Sequence, residues 1–307
     1  MKITFLGAGA FGNALAKVAN YNGHETKFFD PYKYPDVALA AAISGADVVV
    51  FSAPSKVAPE ILPQLDPDTP LICASKGFLS LKPFEKFKDF SVLSGAAFSD
   101  EVEATTSNPN SRKLILTATS ELSEELFSTE NITIEYTTDK LGVLLCGALK
   151  NIYAIGAGIY YQKSLDDTCG PTAEEQNSDE VSDNTEAQNS TPLVSMLYLE
   201  KAVSEMIKIL EANGASRDTL RLSCGAADLV LSSTGRSRNF CLGRELAKIK
   251  AAVSNNDTKK LDGQMSGTVE GASVILGLSN YPDFVLPSDT TIFHDTVKIV
   301  KDYYAAQ

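Results

Sequence analysis

Three glycines near the amino terminus form a pattern that can hold a pyrophosphate. The apolar run KITFL leads directly into this glycine loop, and a helical stretch follows it. The loop consists of Gly7, Ala8, Gly9, Ala10, Phe11 and Gly12. Gly7 permits a tight turn, Gly9 lets the backbone approach phosphate oxygens, and Gly12 lets the helix pack close to the strand. The helix N-terminus then faces the phosphates with its positive end, so the pattern predicts a dinucleotide site.

A carboxylate follows at the distance that such a site requires. Asp30 ends the second apolar run, eighteen residues after Gly12. There it can accept both hydroxyls of an adenosine ribose, and it would repel a 2′-phosphate. We therefore expect NAD as the cofactor rather than NADP, although Lys33 is a nearby cation that could meet a 2′-phosphate.

Two lysines are placed for acid-base chemistry. Lys76 follows the fourth apolar run, so we expect it at the carboxyl edge of a parallel sheet, where such sheets bind ligands. Lys150 lies inside the apolar segment 141–161, where burial lowers the pKa of a lysine toward neutral pH. The chain has only His24 and His294, which leaves little material for a His-rich metal site. Proton transfer near neutral pH must then fall to Lys, Asp or Glu.

The charge of the chain is concentrated in one segment. The net charge is −12, but residues 164–191 hold eight carboxylates and no Lys or Arg, so the other 279 residues carry −12 + 8 = −4. Few large apolar side chains lie in this acidic insert, and we expect it to be disordered. An acidic surface does not favour nucleic acid as a partner.

Apolar content indicates a globular protein without a membrane span. The chain has 307 residues, 44% of them apolar, and its five cysteines form no C-x-x-C pair, which is typical of reduced thiols in the cytoplasm. The segment 141–161 is long enough to cross a bilayer, but Lys150 and Asn151 stand at its centre. We therefore expect a buried core helix there.

Two domains follow from the order of the apolar patterns. Short strand-like runs alternate with helical stretches up to Thr138, and only helical patterns follow Asp139. The predicted strands are 2–6, 26–30, 47–53, 70–75, 91–95, 113–119 and 133–137. We expect residues 1–138 to form a Rossmann-type dinucleotide-binding domain with a doubly wound parallel sheet, and residues 139–307 to form an all-α substrate domain.

Five further motifs carry a family resemblance. They are Ser75-Lys76-Gly77, Ala148-Leu149-Lys150-Asn151, Asp228-Leu229, Ser237-Arg238-Asn239 and Val269-Glu270-Gly271. Together with the glycine loop, the set resembles the NAD(P)-dependent glycerol-3-phosphate dehydrogenases, whose pattern runs G-x-G-x-x-G, S-K-G, G-P-S-F, A-L-K-N, G-D-L, S-R-N and V-E-G. The resemblance covers essentially the whole chain apart from the acidic insert. It implies hydride transfer between NADH and dihydroxyacetone phosphate, a small phosphorylated substrate, and a homodimer.

The resemblance also implies a role for individual residues. Lys150 matches the catalytic lysine, acting as general acid and base, and Asp228 matches the carboxylate beside it. The implied substrate contacts are Lys76, Gly95, Ser237, Arg238 and Asn239. The implied cofactor contacts are Gly7, Gly9, Ala10, Phe11, Gly12, Asp30, Lys76, Ser99, Arg238 and Glu270.

The sequence departs from the family pattern near the substrate. The family's G-P-S-F is Gly95-Ala96-Ala97-Phe98 here, so a serine hydroxyl is missing at Ala97, and Ser99 is a candidate to replace it. Two alternatives therefore stay open. One is a dehydrogenase of the same build that acts on another small hydroxy acid or phosphorylated polyol, and the other is an NAD-binding regulatory protein without turnover.

Overall fold

The computed structural model describes residues 1–168, 193–254 and 269–306. Within these residues, seven strands form one sheet. They are β1 (Lys2–Leu6), β2 (Glu25–Phe29), β3 (Val48–Phe51), β4 (Leu71–Cys73), β5 (Phe90–Gly95), β6 (Leu114–Ala118) and β7 (Ile132–Tyr136). Each lies within two residues of its predicted bounds. The apolar runs form strands because they are covered on both faces; all four residues of β3 are buried, for example.

The strand order is β2-β1-β3-β4-β5-β6-β7. Strands β1 to β5 pair in parallel, and β7 is parallel to β6. The expected doubly wound parallel sheet is confirmed for β1 to β5. However, β6 pairs with β5 in antiparallel orientation, so the sheet as a whole is mixed. The order reverses between β1 and β3, and a ligand crevice is therefore expected at their carboxyl ends.

Helices cover both faces of the sheet. On one face lie α1 (Ala10–Tyr21), α4 (Ser99–Ala104) and α5 (Leu122–Phe127), packed on side chains such as Ile3 and Phe5. The opposite face holds α2 (Leu39–Ile43), α3 (Ala58–Ile61) and α6 (Lys140–Thr168). Because α6 belongs to the C-terminal half, one continuous core joins Leu6 of the sheet to the last helices of the chain.

Helix α6 is the buried core helix that the sequence predicts. Its apolar stretch has a mean hydropathy of 1.5, enough for a membrane span by length and composition, but all of that stretch is buried inside the protein. The helix ends at Thr168, so it includes the first five residues of the acidic insert, and the expectation of disorder is wrong for them. Residues 169–191 of the insert lie outside the described residues.

The other helices surround α6. They are α7 (Leu193–Ala212), α8 (Asp228–Ser232), α9 (Arg238–Ser254), α10 (Glu270–Leu276) and α11 (Thr291–Ala305). The buried carboxylate of Glu205 in α7 accepts hydrogen bonds from the Tyr153 hydroxyl of α6 at 3.0 Å and from the Ile292 and Phe293 amides of α11 at 2.9 and 3.1 Å. An anion at the positive end of α11 fixes three helices together.

Helices α6 and α9 cross very closely. A Cβ added at Gly243 would run into the carbonyl oxygen of Ile155, and one added at Gly158 would run into that of Phe240. Only glycine leaves the backbones this near to each other. The crossing fixes the start of α9, and with it the Ser237-Arg238-Asn239 motif, against the middle of α6.

Candidate active site

Two lysines share one buried carboxylate at the centre of the molecule. The ammonium groups of Lys76 and Lys150 donate hydrogen bonds to Asp228 at 2.7 and 3.0 Å, one to each carboxylate oxygen. Lys76 comes from the loop after β4, Lys150 from the middle of α6, and Asp228 from the first residue of α8. The structure thus brings together three residues that lie far apart in the sequence.

Burial sets the protonation of this cluster. Asp228 is 1% exposed and Lys150 is 7% exposed. Burial lowers the pKa of Lys150 to about 8; the charge of Asp228 raises it and the charge of Lys76 lowers it. Burial raises the pKa of Asp228, but the two lysines outweigh that effect and hold it below its ordinary value. A carboxylate between two ammonium groups leaves a net positive charge that suits an anionic substrate or a developing oxyanion.

Hydrogen bonds with neighbouring groups orient both lysines. Lys150 also donates to the Ser232 hydroxyl at 2.7 Å, and that hydroxyl lies 3.4 Å from Asp228 Oδ1. Lys76 donates to the carbonyl of Gly95 at the end of β5, at 2.9 Å. Sequence reasoning missed Ser232, although its position four residues after Asp228 places it on the same face of a helix.

A chain of side-chain amides connects this cluster to α9 and α10. Asn151 donates to the carbonyl of Lys76 at 3.3 Å, and Asn239 donates to Asn151 Oδ1 at 2.9 Å. Asn239 in turn accepts the Gly271 amide at 2.9 Å. Asn151 therefore positions Lys76, a contact that the sequence motif alone did not assign.

The first residues of α9 are divided between the interior and the surface. Ser237 and Asn239 are buried, with Asn239 in the amide chain, whereas Arg238 is exposed. Within the described residues Arg238 has no hydrogen bond or ion pair, but its charge lowers the pKa of Glu270. The guanidinium can therefore accept an incoming anion without breaking a described contact.

Glu270 begins α10 and contacts the end of the sheet. Its Oε1 accepts hydrogen bonds from the Ser55 amide at 3.5 Å and the Ser55 hydroxyl at 3.3 Å. Burial raises the pKa of Glu270, and these bonds oppose the change. Sequence reasoning gave no signal for Ser55, which is brought to Glu270 from 215 residues away.

The glycine loop fits a pyrophosphate. Gly7 has φ of +105°, and a Cβ there would lie 2.7 Å from the backbone of Ala53. A Cβ at Gly12 would lie 2.5 Å from Ser52 Oγ, whereas a Cβ at Gly9 would meet no atom of the described part of the chain within 4 Å. Helix α1 begins at Ala10 without a side-chain cap, so its first amides are available to phosphate oxygens.

Asp30 organises the loop that would hold the adenosine end. Its carboxylate accepts the amides of Ala8, Tyr32 and Lys33 at 2.9, 3.0 and 3.2 Å. The Lys33 ammonium donates to the Ala8 carbonyl. Lys33, the cation that could meet a 2′-phosphate, is thus hydrogen-bonded to the glycine loop.

The glycine loop adjoins the lysine cluster. The Lys76 ammonium lies 5.6 Å from the centre of the Phe11 ring, so a group bound along the loop would end near the two lysines. Ala97 is buried between β5 and α4, and Ser99 is the first residue of α4. Within the described residues the Ser99 hydroxyl has no hydrogen bond, and the structure gives no contact between it and the cluster.

Comparison with known proteins identifies the family. Residues 139–305 match the family model for the C-terminus of NAD-dependent glycerol-3-phosphate dehydrogenase. The chain belongs to the NAD(P)-dependent glycerol-3-phosphate dehydrogenase family. The chain is thus an oxidoreductase of this family, and the resemblance drawn from the motifs is confirmed.

Individual relatives extend the likeness to both halves. The glycerol-3-phosphate dehydrogenase [NAD(P)+] of Oceanobacillus iheyensis is 29% identical over 89% of this chain and 82% of its own length. The solved structure of the Coxiella burnetii glycerol-3-phosphate dehydrogenase has a TM-score of 0.68 at 21% identity and covers 99% of this chain and 98% of its own. The Plasmodium falciparum enzyme has a TM-score of 0.70 at 17% identity, with 98% and 92% covered. At these identities the two structures establish the shared fold.

Proposed function

We propose that this chain interconverts dihydroxyacetone phosphate and sn-glycerol 3-phosphate with NADH and NAD⁺, and that Lys150 is its general acid and base. The observation that carries the proposal is the pair of lysines on one buried carboxylate, Asp228. A carbonyl reduction needs a proton for the new hydroxyl, and a lysine whose pKa is lowered to about 8 can give it up near neutral pH.

Each residue of the cluster has a distinct task in this reaction. Bound NADH supplies the hydride to the carbonyl carbon. The ammonium groups of Lys76 and Lys150 stabilise negative charge on the carbonyl oxygen, and Lys150 passes its proton to that oxygen to complete the alcohol. Asp228 and Ser232 hold Lys150 in place. In the oxidation direction neutral Lys150 removes the hydroxyl proton, and bound NAD⁺ would accept the hydride.

The start of α9 is the proposed phosphate site. Arg238 offers a bidentate donor set at a helix N-terminus, and Ser237 and Asn239 flank it. Gly95 borders the lysines through its carbonyl. The missing hydroxyl at Ala97 removes one candidate substrate contact, which leaves Arg238 as the main group that distinguishes a phosphorylated from an unphosphorylated ketone.

NAD is the proposed cofactor, in preference to NADP. The space at Gly9, the uncapped start of α1 and the carboxylate of Asp30 at the adjacent strand end support this assignment. Asp30 would accept ribose hydroxyls and repel a 2′-phosphate. The proposed cofactor contacts Ala10, Phe11, Ser99 and Glu270 extend the site from the glycine loop toward α4 and α10.

A homodimer in the cytoplasm completes the proposal. Exposed apolar side chains support an interface: Tyr160 on α6 is 43% exposed, and Met196 and Leu197 on α7 are 60% and 57% exposed.

The experiment that tests the function compares substrates in an Arg238→Ala variant. We expect wild-type protein to oxidise NADH with dihydroxyacetone phosphate far faster than with dihydroxyacetone. Loss of a charged hydrogen-bond donor should raise KM for the phosphorylated ketone about tenfold or more. Arg221, an exposed arginine paired with Asp218, is the matched control, and its alanine variant should keep the wild-type KM. Equal rates with both ketones, or an unchanged KM in the Arg238 variant, would refute the phosphate site.

A further inference from the structure

The connection from β4 to β5 leaves a cavity beside the sheet. Parallel strands are usually joined by a crossover that contains an α-helix, but residues 74–89 contain one short 3-10 turn at Lys82–Phe84. A cavity of about 600 Å³ lies here, between α3, this crossover, α10 and residues 277–284. That volume falls within the range of small-molecule sites.

The cavity is apolar inside and positively charged around its edge. Its apolar wall includes Ala58, Leu62, Phe78, Val274 and Phe284. Among the described residues, three lysines and one carboxylate, that of Asp283, also line it. This composition suits a ligand with an apolar body and one anionic group.

One of the three lysines is available to that anionic group. Lys82 lies 3.6 Å from the Asp283 carboxylate, and Lys86 donates to the carbonyls of Pro63 and Leu65 at 3.2 and 2.8 Å. Lys56 has no hydrogen bond or ion pair in the part of the chain that the structure describes. Its charge lowers the pKa of Glu270.

The inner wall of the cavity belongs to residues that adjoin the active site. Ser55 donates to Glu270, and Gly77 directly follows Lys76. A Cβ added at Gly77 would run into both Ser55 and Glu270, so these three residues are tightly packed. The Tyr281 hydroxyl donates to the Gly77 carbonyl at 3.3 Å, and both residues line the cavity. Neither the glycine loop nor Lys150, Asp228 or Arg238 lines the cavity.

We propose that this cavity is a second ligand site, for an amphipathic anion whose apolar body fills the space and whose anionic group pairs with Lys56. Occupancy is coupled to the active site because the ligand would press on the wall formed by Ser55 and Gly77. The site is separate from the dinucleotide site, so cofactor and anion bind together. The proposal does not depend on the identity of the ketone substrate.

The test uses 1-anilinonaphthalene-8-sulfonate, an aromatic monoanion that fluoresces in apolar surroundings, titrated into the protein in saturating NAD⁺. We expect one bound dye per chain. Ser273→Phe places a ring in the cavity and should weaken binding at least tenfold. Leu276→Phe puts the same ring on an exposed position of α10 and serves as the matched control.

A second pair of variants tests the charge. Lys56→Ala should weaken dye binding about three- to tenfold, whereas Lys88→Ala, which removes a surface lysine paired with Asp68, should not change it. Saturating dye should change KM for NADH at least twofold in wild-type protein and leave it unchanged in Ser273→Phe. Loss of dye binding when NAD⁺ is added, or equal binding in the wild type and both cavity variants, would overturn the second site. An unchanged KM at saturating dye would overturn its coupling to the active site.

Discussion

Lys150 lies in α6 among apolar neighbours. Within the described residues, Asp228 is the one charged group to which it donates a hydrogen bond, and Lys76 donates to the same carboxylate. Replacing Lys150 with methionine keeps the volume and removes the proton. We expect Lys150→Met to lower kcat for dihydroxyacetone phosphate by about two to four orders of magnitude, as for loss of a general acid. The Kd of NADH, measured by calorimetry, should remain within about twofold, because the glycine loop is untouched.

The control for this variant lies on the same helix. Lys163 is exposed, and Lys163→Met should retain the wild-type kcat. Turnover at the wild-type rate in Lys150→Met would remove Lys150 from the proposed role.

The pH dependence of catalysis follows from the same residue. In the proposed mechanism reduction needs protonated Lys150. With a pKa of about 8, the rate of reduction should be constant below that pH and fall above it, whereas the rate of oxidation should rise over the same range. Asp228 raises the pKa of Lys150 and Lys76 lowers it. Asp228→Asn should therefore move the fall in the reduction rate to lower pH.

Pre-steady-state measurement of NADH oxidation across pH 6 to 10 would record both profiles. Asp68→Asn, which neutralises an exposed carboxylate that pairs with Lys88, is the control and should keep the wild-type profile. A profile that moves to higher pH in Asp228→Asn would contradict the electrostatic account of the cluster.

At the scale of elements, the crossing of α6 and α9 positions the site. Gly243→Ala would force a Cβ into the carbonyl of Ile155, and we expect it to lower the free energy of unfolding by about 1–3 kcal/mol or more. Gly235→Ala adds the same methyl group where no atom of the described residues lies within 4 Å, and its effect should be within about 0.5 kcal/mol. Urea unfolding measures both, and equal stability of the two variants would show that the helices do not depend on this contact.

The strands and the long core helix could be predicted from the sequence because buried segments are recognisable as apolar runs. The run VVVF is apolar at every position and becomes a fully covered central strand. The reversal of β6 against β5 could not be predicted, since an apolar run has no signal for its direction. Likewise, the apolar segment 141–161 predicts too early an end for α6, because the polar and acidic residues that follow it are compatible with a helix.

At the site, the contacts between residues far apart in the chain could not be predicted from the sequence. The two lysines and Asp228 can be predicted from the sequence because each lies in a short motif. Ser55 and Ser232 lie in none of the motifs assigned, and their roles depend on partners that the fold brings near. The meeting of Lys76 and Lys150 on one carboxylate is likewise a property of the folded chain, since 152 residues separate Lys76 from Asp228.

At the scale of the whole molecule, the chain carries a net charge of −12, whereas the buried cluster of Lys76, Lys150 and Asp228 is positively charged. The anionic substrate would be attracted locally by Lys76, Lys150 and Arg238 in a molecule whose surface is acidic overall. Because the sheet and α6 share one hydrophobic core, the glycine loop and the lysine cluster belong to the same packed unit. Binding of NADH and reduction of the ketone are therefore expected to occur in the same chain.

The most direct test of the central claim is turnover of dihydroxyacetone phosphate by the whole protein, with NADH oxidation and product both measured. We predict one sn-glycerol 3-phosphate formed per NADH oxidised, and a higher kcat/KM with NADH than with NADPH. Tight NADH binding by calorimetry without any oxidation in the presence of dihydroxyacetone phosphate would contradict the account and indicate a nucleotide-binding protein without turnover.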